Sequence, residues 1–132
     1  RRLLHEYVHV VVRNQLGEKA PWWLNEGLAE TLSRNMDDHE LNILKKGYED
    51  KTAFSLADLE AHQLKVLNKE ALRLAYVQAH AATERLWNRF GQAKLLQFMK
   101  AIADGQKTEA ALQAVYHLSY AKLEAEISNN YR

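Results

Sequence analysis

The sequence contains no cysteine, one proline and five glycines in 132 residues, and its charges nearly cancel to a net +1. Without cysteine there are no disulfides, no thiolate metal ligands and no thiol nucleophile, so any bound metal must be held by histidine and carboxylate side chains. The near-neutral balance gives no strong field to attract nucleic acid, an anionic membrane or an acidic substrate. No apolar run approaches the roughly 20 residues of a membrane span, so no transmembrane segment is expected. With so little proline and glycine, few positions interrupt a helix, and nearly every stretch reads as one.

What is present fits one domain over residues 1–132. Hydrophobic residues make up 47% and charged residues 27%, a balance that supports one modest core with a solvated surface. The chain opens on Arg1 rather than Met, and its most informative motif begins four residues later. It is therefore read as the downstream part of a longer, N-terminally truncated domain.

The first helix is expected over about Arg2–Leu16, with Gly17 as terminator. Val10, Val11 and Val12 favour a strand by propensity alone, but Leu4, Val8, Val11 and Val12 follow helical spacing. Glu18 to Ala20 form a short loop to Pro21, a first-turn residue, and a second helix covers about Trp22–Arg34. Asp37 and Asp38 start a helix ending near Gly47, and Ser55 caps a short one over Leu56–Ala61. Asn68 caps a long helix that ends before Gly91. Ala93–Ala103 forms another, stopped by Gly105. Thr108 and Ser119 cap two last helices, Glu109–Tyr116 and Tyr120 to about Ser128. Leu86, Phe90, Leu95, Leu96, Phe98, Met99 and Ile102 are expected in the core.

Residues 5–9 read H-E-Y-V-H. On a helix, positions four apart share a face, so His5 and His9 aim two imidazoles at one cation. Glu6 projects beside them, placed to take a proton from water without itself being a ligand. The ordinary alternative is a helix with two unrelated histidines. A catalytic zinc site takes three protein ligands and leaves one position open. Glu26 is the natural third, because a turn at Gly17 to Pro21 that folds the second helix back antiparallel brings its second turn level with the histidines. Against this stands a solvated charge near a helix N-terminus. Trp22, Trp23, Leu24 and Leu28 surround Glu26 in sequence, and a carboxylate in such apolar company is costly unless paired or metal-bound.

Taken together, H-E-Y-V-H and W-L-N-E-G-L-A (residues 23–29) resemble the gluzincin metallopeptidases, in particular the peptidase MA-like domains related to the zinc aminopeptidases. The resemblance implies that Glu26 is the third zinc ligand, that Glu6 is the general base, and that the substrate is a peptide or protein. It also points to Tyr76, which precedes Gly91 by fifteen residues as the family's oxyanion-stabilising tyrosine precedes its glycine. A half-buried helical tyrosine is the plain alternative. Glu30, one turn after Glu26, matches an acidic residue that in gluzincins often accepts a hydrogen bond from a ligand histidine; a surface glutamate is the other reading. The interval between His9 and Glu26 is shorter than the zinc aminopeptidases usually have. The family's β-sheet lies upstream of the metal helix, so this sequence is expected to be mainly α, a helical zincin-type subdomain.

Two rival readings compete with this one: a catalytically inactive zinc-binding scaffold or peptide-binding module of the same fold, and a metal-free helical interaction domain with a coincidental motif. His39, His62, His80 and His117 are scattered and read as surface or satisfied core residues. His80, on the helical face of Tyr76, is the one placed to line a cleft.

Overall fold

The structure, a computed structural model, describes residues 19–60 and 68–131, with Val10, Val12, Asn14 and Leu16 before them. These residues are mainly helical and include no strand. His5, Glu6, His9, Gly17, Glu18 and His62 lie outside the described residues. Val12 and Leu16 are helical and buried, while Val10 and Asn14 are helical and exposed. Val12 and Leu16, four positions apart, thus share a buried side, and Val10 and Asn14, likewise four apart, an exposed one.

Helix α1 (Trp22–Ser33) starts at Trp22 as expected, with Pro21 before it as the cap rather than inside its first turn. Pro21 is its extended N-cap (φ −68°, ψ 152°), whose carbonyl accepts from the Leu24 and Asn25 amides at 3.1 Å. The helix ends where Arg34 turns extended, and it buries Trp22, Trp23, Leu24, Gly27, Leu28 and Ala29. Helix α2 (Asp38–Glu49) opens with a reciprocal cap: Asp37 accepts from the Glu40 amide, and Glu40 accepts from the Asp37 amide. The acidic cluster at Asp37, Asp38 and Glu40 is thus a helix start, as its sequence suggests.

Ser55 does cap, through its Oγ and the Asp58 amide at 3.1 Å, but it opens a short 3₁₀ turn, Asp58–Glu60, rather than a helix over 56–61. The reason lies far away in sequence. The Leu56 amide donates to Glu124, and Glu60 accepts from the Tyr120 hydroxyl, so tertiary partners hold this segment in a tighter turn.

Helix α3 (Lys69–Ala103) begins at Asn68, whose side chain accepts from the Ala71 amide, and it is broken at Gly91 (φ 84°, ψ 178°). A side chain is strained at that φ, which glycine adopts freely. The break separates the two helices expected on either side of Gly91 and sets Phe90 and Phe98 edge-on against the same ring, Tyr116, at 4.9 and 5.5 Å. Beyond it, Leu95, Phe98, Met99 and Ile102 form the buried stripe at helical spacing; Leu96 falls off that stripe and is 52% exposed, contrary to expectation.

Helix α4 (Thr108–Tyr116) has Lys107, not Thr108, at its cap position and no side-chain cap; His117 closes it in the left-handed region (φ 60°). Helix α5 (Tyr120–Tyr131) runs three residues past the expected end and is capped as expected by Ser119, whose Oγ accepts from the Lys122 amide.

The core centres on Trp23, which is fully buried. Its ring stacks on Phe98 at 6.3 Å, meets Tyr120 edge-on at 6.1 Å, and donates its indole N–H to the Tyr120 hydroxyl at 3.2 Å. Tyr120 passes the chain of hydrogen bonds on to Glu60 at 2.7 Å, and burial pushes its phenol well above the ordinary range, keeping it a donor. One residue of α1 is thereby tied to α3, α5 and the 3₁₀ turn. No helix among the described residues is long and apolar enough to cross a membrane.

Candidate functional site

The candidate face is made where α1 meets the first half of α3. The seam is unusually close at Gly27. A Cβ there would lie 2.2 Å from the Ala79 carbonyl oxygen and 2.6 Å from the Thr83 side chain, so only a bare α-carbon fits. On one side of this contact Trp22 meets Tyr76 edge-on, ring centroids 5.0 Å apart. On the other, Thr31 Oγ lies 2.7 Å from Thr83 Oγ and donates to the His80 carbonyl at 3.4 Å. The contacts advance in the same order along both helices, so α1 and this half of α3 run in the same direction.

Three of the residues singled out in the sequence lie on the two helices of this seam, within electrostatic reach of one another. Glu26 precedes Gly27 and is half-buried; Glu30 is partly buried one turn later; Tyr76 stands across from them, 39% exposed. The Tyr76 phenol is held above its ordinary pKa, first by partial burial and then by the negative charges of Glu26 and Glu30. Both carboxylates therefore act on the same hydroxyl. Glu30 also pairs with Arg34 at 3.0 Å, so it is neither simply a solvated surface charge nor isolated.

Behind this face lies a charged cluster that no sequence motif announces. Arg34, just past the end of α1, grips both carboxylate oxygens of Glu40 in the first turn of α2. The bidentate hydrogen bond from Arg34 drives the Glu40 carboxyl down to about 2. The same pairing raises the Arg34 guanidinium further above its already high pKa. The local signal was there in part: Glu40 is the third helical residue after Asp37, the position of a capping-box acid. Nothing local, however, foretold its second partner. His80 completes the cluster, fully buried within the seam rather than on a cleft wall. Its pKa is lowered, chiefly because burial disfavours the charged ring, against the raising influence of Glu84, Glu40 and Glu30.

The donor chemistry on α1 suits a zinc ion. Glu26 is a half-buried carboxylate flanked in the chain by buried Leu24 and Leu28, and a second acid stands one turn on. Among the described residues no three His, Asp or Glu side chains converge as a metal-holding group. A complete set on Glu26 would draw its other donors from His5 and His9.

A sequence model of the Peptidase MA superfamily matches residues 1–131. The chain belongs to that superfamily of peptidases, whose members are in general zinc-dependent, and its mainly helical architecture agrees with the helical part of the fold. No curated protein and no solved structure gives a significant match.

Proposed function

We propose that this protein hydrolyses peptide bonds in a gluzincin manner, with zinc held by His5, His9 and Glu26. The observation that carries the reading is the shared face of Glu26, Glu30 and Tyr76, built by the Gly27 seam in a chain of the Peptidase MA superfamily. Bound zinc supplies Lewis acidity, which brings the pKa of water toward ~7 and polarises a carbonyl.

The chain's own residues do the rest. Glu6 removes a proton from the water as its oxygen bonds to the scissile carbonyl carbon. The same carboxyl then delivers that proton to the leaving nitrogen as the C–N bond breaks. Tyr76 donates its O–H to the former carbonyl oxygen while negative charge builds there, and its raised pKa keeps it a donor at neutral pH. Glu30, buttressed by Arg34, accepts a hydrogen bond from a ligand histidine and so fixes the ring's tautomer.

The test pairs metal analysis with peptide cleavage. After dialysis, the chain should retain about one equivalent of zinc, and His5→Ala or Glu26→Ala should lose it. Glu6→Gln should keep the metal and lose about 10²–10⁴-fold in kcat. Zinc bound normally by a complete domain that cleaves no peptide would favour the inactive scaffold. Zinc content unaffected by His5→Ala would favour a coincidental motif.

A further inference from the structure

His80 sits directly behind the face of the proposed mechanism, which makes no use of its imidazole. It lies one helical turn after Tyr76 on α3 and is fully buried. Its backbone carbonyl receives the Thr31 hydroxyl from α1. Its Nε2 lies 3.5 Å from Glu84 Oε2, and among the described residues neither ring nitrogen has a hydrogen-bond partner. Among the described residues, the charged groups that act on it are Glu84 on its own helix, Glu30 on α1, Arg34 just beyond α1, and Glu40 in the first turn of α2, three carboxylates against one guanidinium.

We propose that His80 is a positioning residue for the Tyr76–Glu30 face, a buried imidazole that holds the α1–α3 seam and the Arg34 cluster in their working arrangement at some cost to stability. The proposal rests on the peptidase reading of that face. A buried ring with two unsatisfied nitrogens destabilises a helix seam, and a leucine would fill similar space without the penalty. Such costs concentrate where geometry serves a site. The ring also has a use that leucine lacks. It can turn an N–H toward a carboxylate, with Glu84 Oε2 only 3.5 Å from its Nε2.

The experiment compares the whole chain with His80→Leu and His80→Gln, zinc-loaded, by thermal unfolding and peptide-cleavage kinetics. His80→Leu is expected to melt at or above the parent temperature while kcat falls about tenfold and KM stays within about twofold. His80→Gln, which keeps an N–H donor, should recover part of kcat, and it carries the kinetic test if His80→Leu fails to fold. A second readout needs no activity. The imidazole titration of His80, tracked by NMR, should move to lower pH in Glu30→Gln, because a facing negative charge is gone. Parent kcat and KM in His80→Leu, or in His80→Gln where that variant carries the kinetics, would overturn the proposal. So would a His80 titration indifferent to Glu30→Gln. If the titration moves but the parent chain cleaves no peptide, the peptidase reading fails, and the positioning role in catalysis falls with it.

Discussion

The two ends of α1 live in different chemistry. At Trp23 the helix enters a core of rings, Phe98, Tyr116 and Tyr120, where nearly every contact is apolar or edge-to-face. From Glu26 to Arg34 the same helix meets carboxylates, a guanidinium and a buried imidazole. Hydrophobic burial and ring packing are non-directional and strong in sum, which suits a region that only has to stay put. Ion pairs and buried polar groups add little net stability, but they fix direction and charge. The aromatic half therefore anchors the helix, and the polar half presents what it carries. The division is not absolute, since the Tyr116 hydroxyl is itself buried without a partner among the described residues.

If that division holds, damage to the aromatic half should cost stability and spare chemistry. Trp23→Ala removes the ring that ties α1 to α3 and α5 and should destabilise by about 3–5 kcal/mol, read by urea unfolding. The fraction still folded should keep the parent's KM. Gly27→Ala attacks the seam between the halves. Its Cβ would overlap the Ala79 carbonyl, so the helices must part, at about 2–4 kcal/mol, against which the helix propensity of alanine returns less than ~1. Unlike Trp23→Ala, it should also lower kcat in the folded fraction, because Glu26 and Tyr76 move apart. Equal kinetics in both variants would erase the distinction.

The two halves were not equally legible. Helix ends were readable wherever the cap is local: Asp37 before α2, Asn68 before α3 and Ser119 before α5 each use their own side chain on a nearby amide. The segment after Ser55 was misread because Glu124 and Tyr120, more than sixty positions away for one and sixty for the other, decide its backbone. Leu96 was misplaced by composition, although the spacing of Leu95, Phe98, Met99 and Ile102 already left it out. Motif and interval single out Glu26, Glu30 and Tyr76 in the sequence, and the structure carries them on the two helices of one seam. The Arg34–Glu40 pair and the burial of His80 were not legible, because both depend on how α2 and α3 close over the end of α1. A lone histidine was expected at the surface or satisfied in the core, and His80 is buried with neither ring nitrogen hydrogen-bonded among the described residues.

Tyr76→Phe sharpens the comparison from the side of chemistry. The edge contact with Trp22 needs only the ring, and the hydroxyl belongs to a residue that is 39% exposed, so the melting temperature should not move. In the proposed mechanism the change removes one donor to a developing oxyanion, so kcat should fall ~10²-fold, or about 2.7 kcal/mol of barrier. KM should stay close to the parent value. A loss confined to KM would instead mean that Tyr76 binds substrate equally in ground and transition states.

The smallest effect, and the one that isolates charge from shape, is expected from Glu40→Gln. The amide oxygen still accepts from the Asp37 backbone, so the reciprocal cap on α2 survives while the carboxylate that Arg34 grips is lost. The folded carboxyl sits at about 2 against an ordinary 4.5, mainly through its hydrogen bond from Arg34. A depressed carboxyl contributes its full stability above the unfolded value and loses it as pH falls through the folded one. The parent should therefore exceed Glu40→Gln by about 1–2 kcal/mol at pH 7, a figure reduced for the solvent that reaches Arg34 and for the partner Arg34 keeps in Glu30. The gap should narrow below pH 4.5 and close toward pH 2, as measured by urea unfolding at stepped pH. A gap that persists at pH 2 would mean that Glu40 supports α2 by shape alone, and that the charged cluster behind Tyr76 contributes no electrostatic stability.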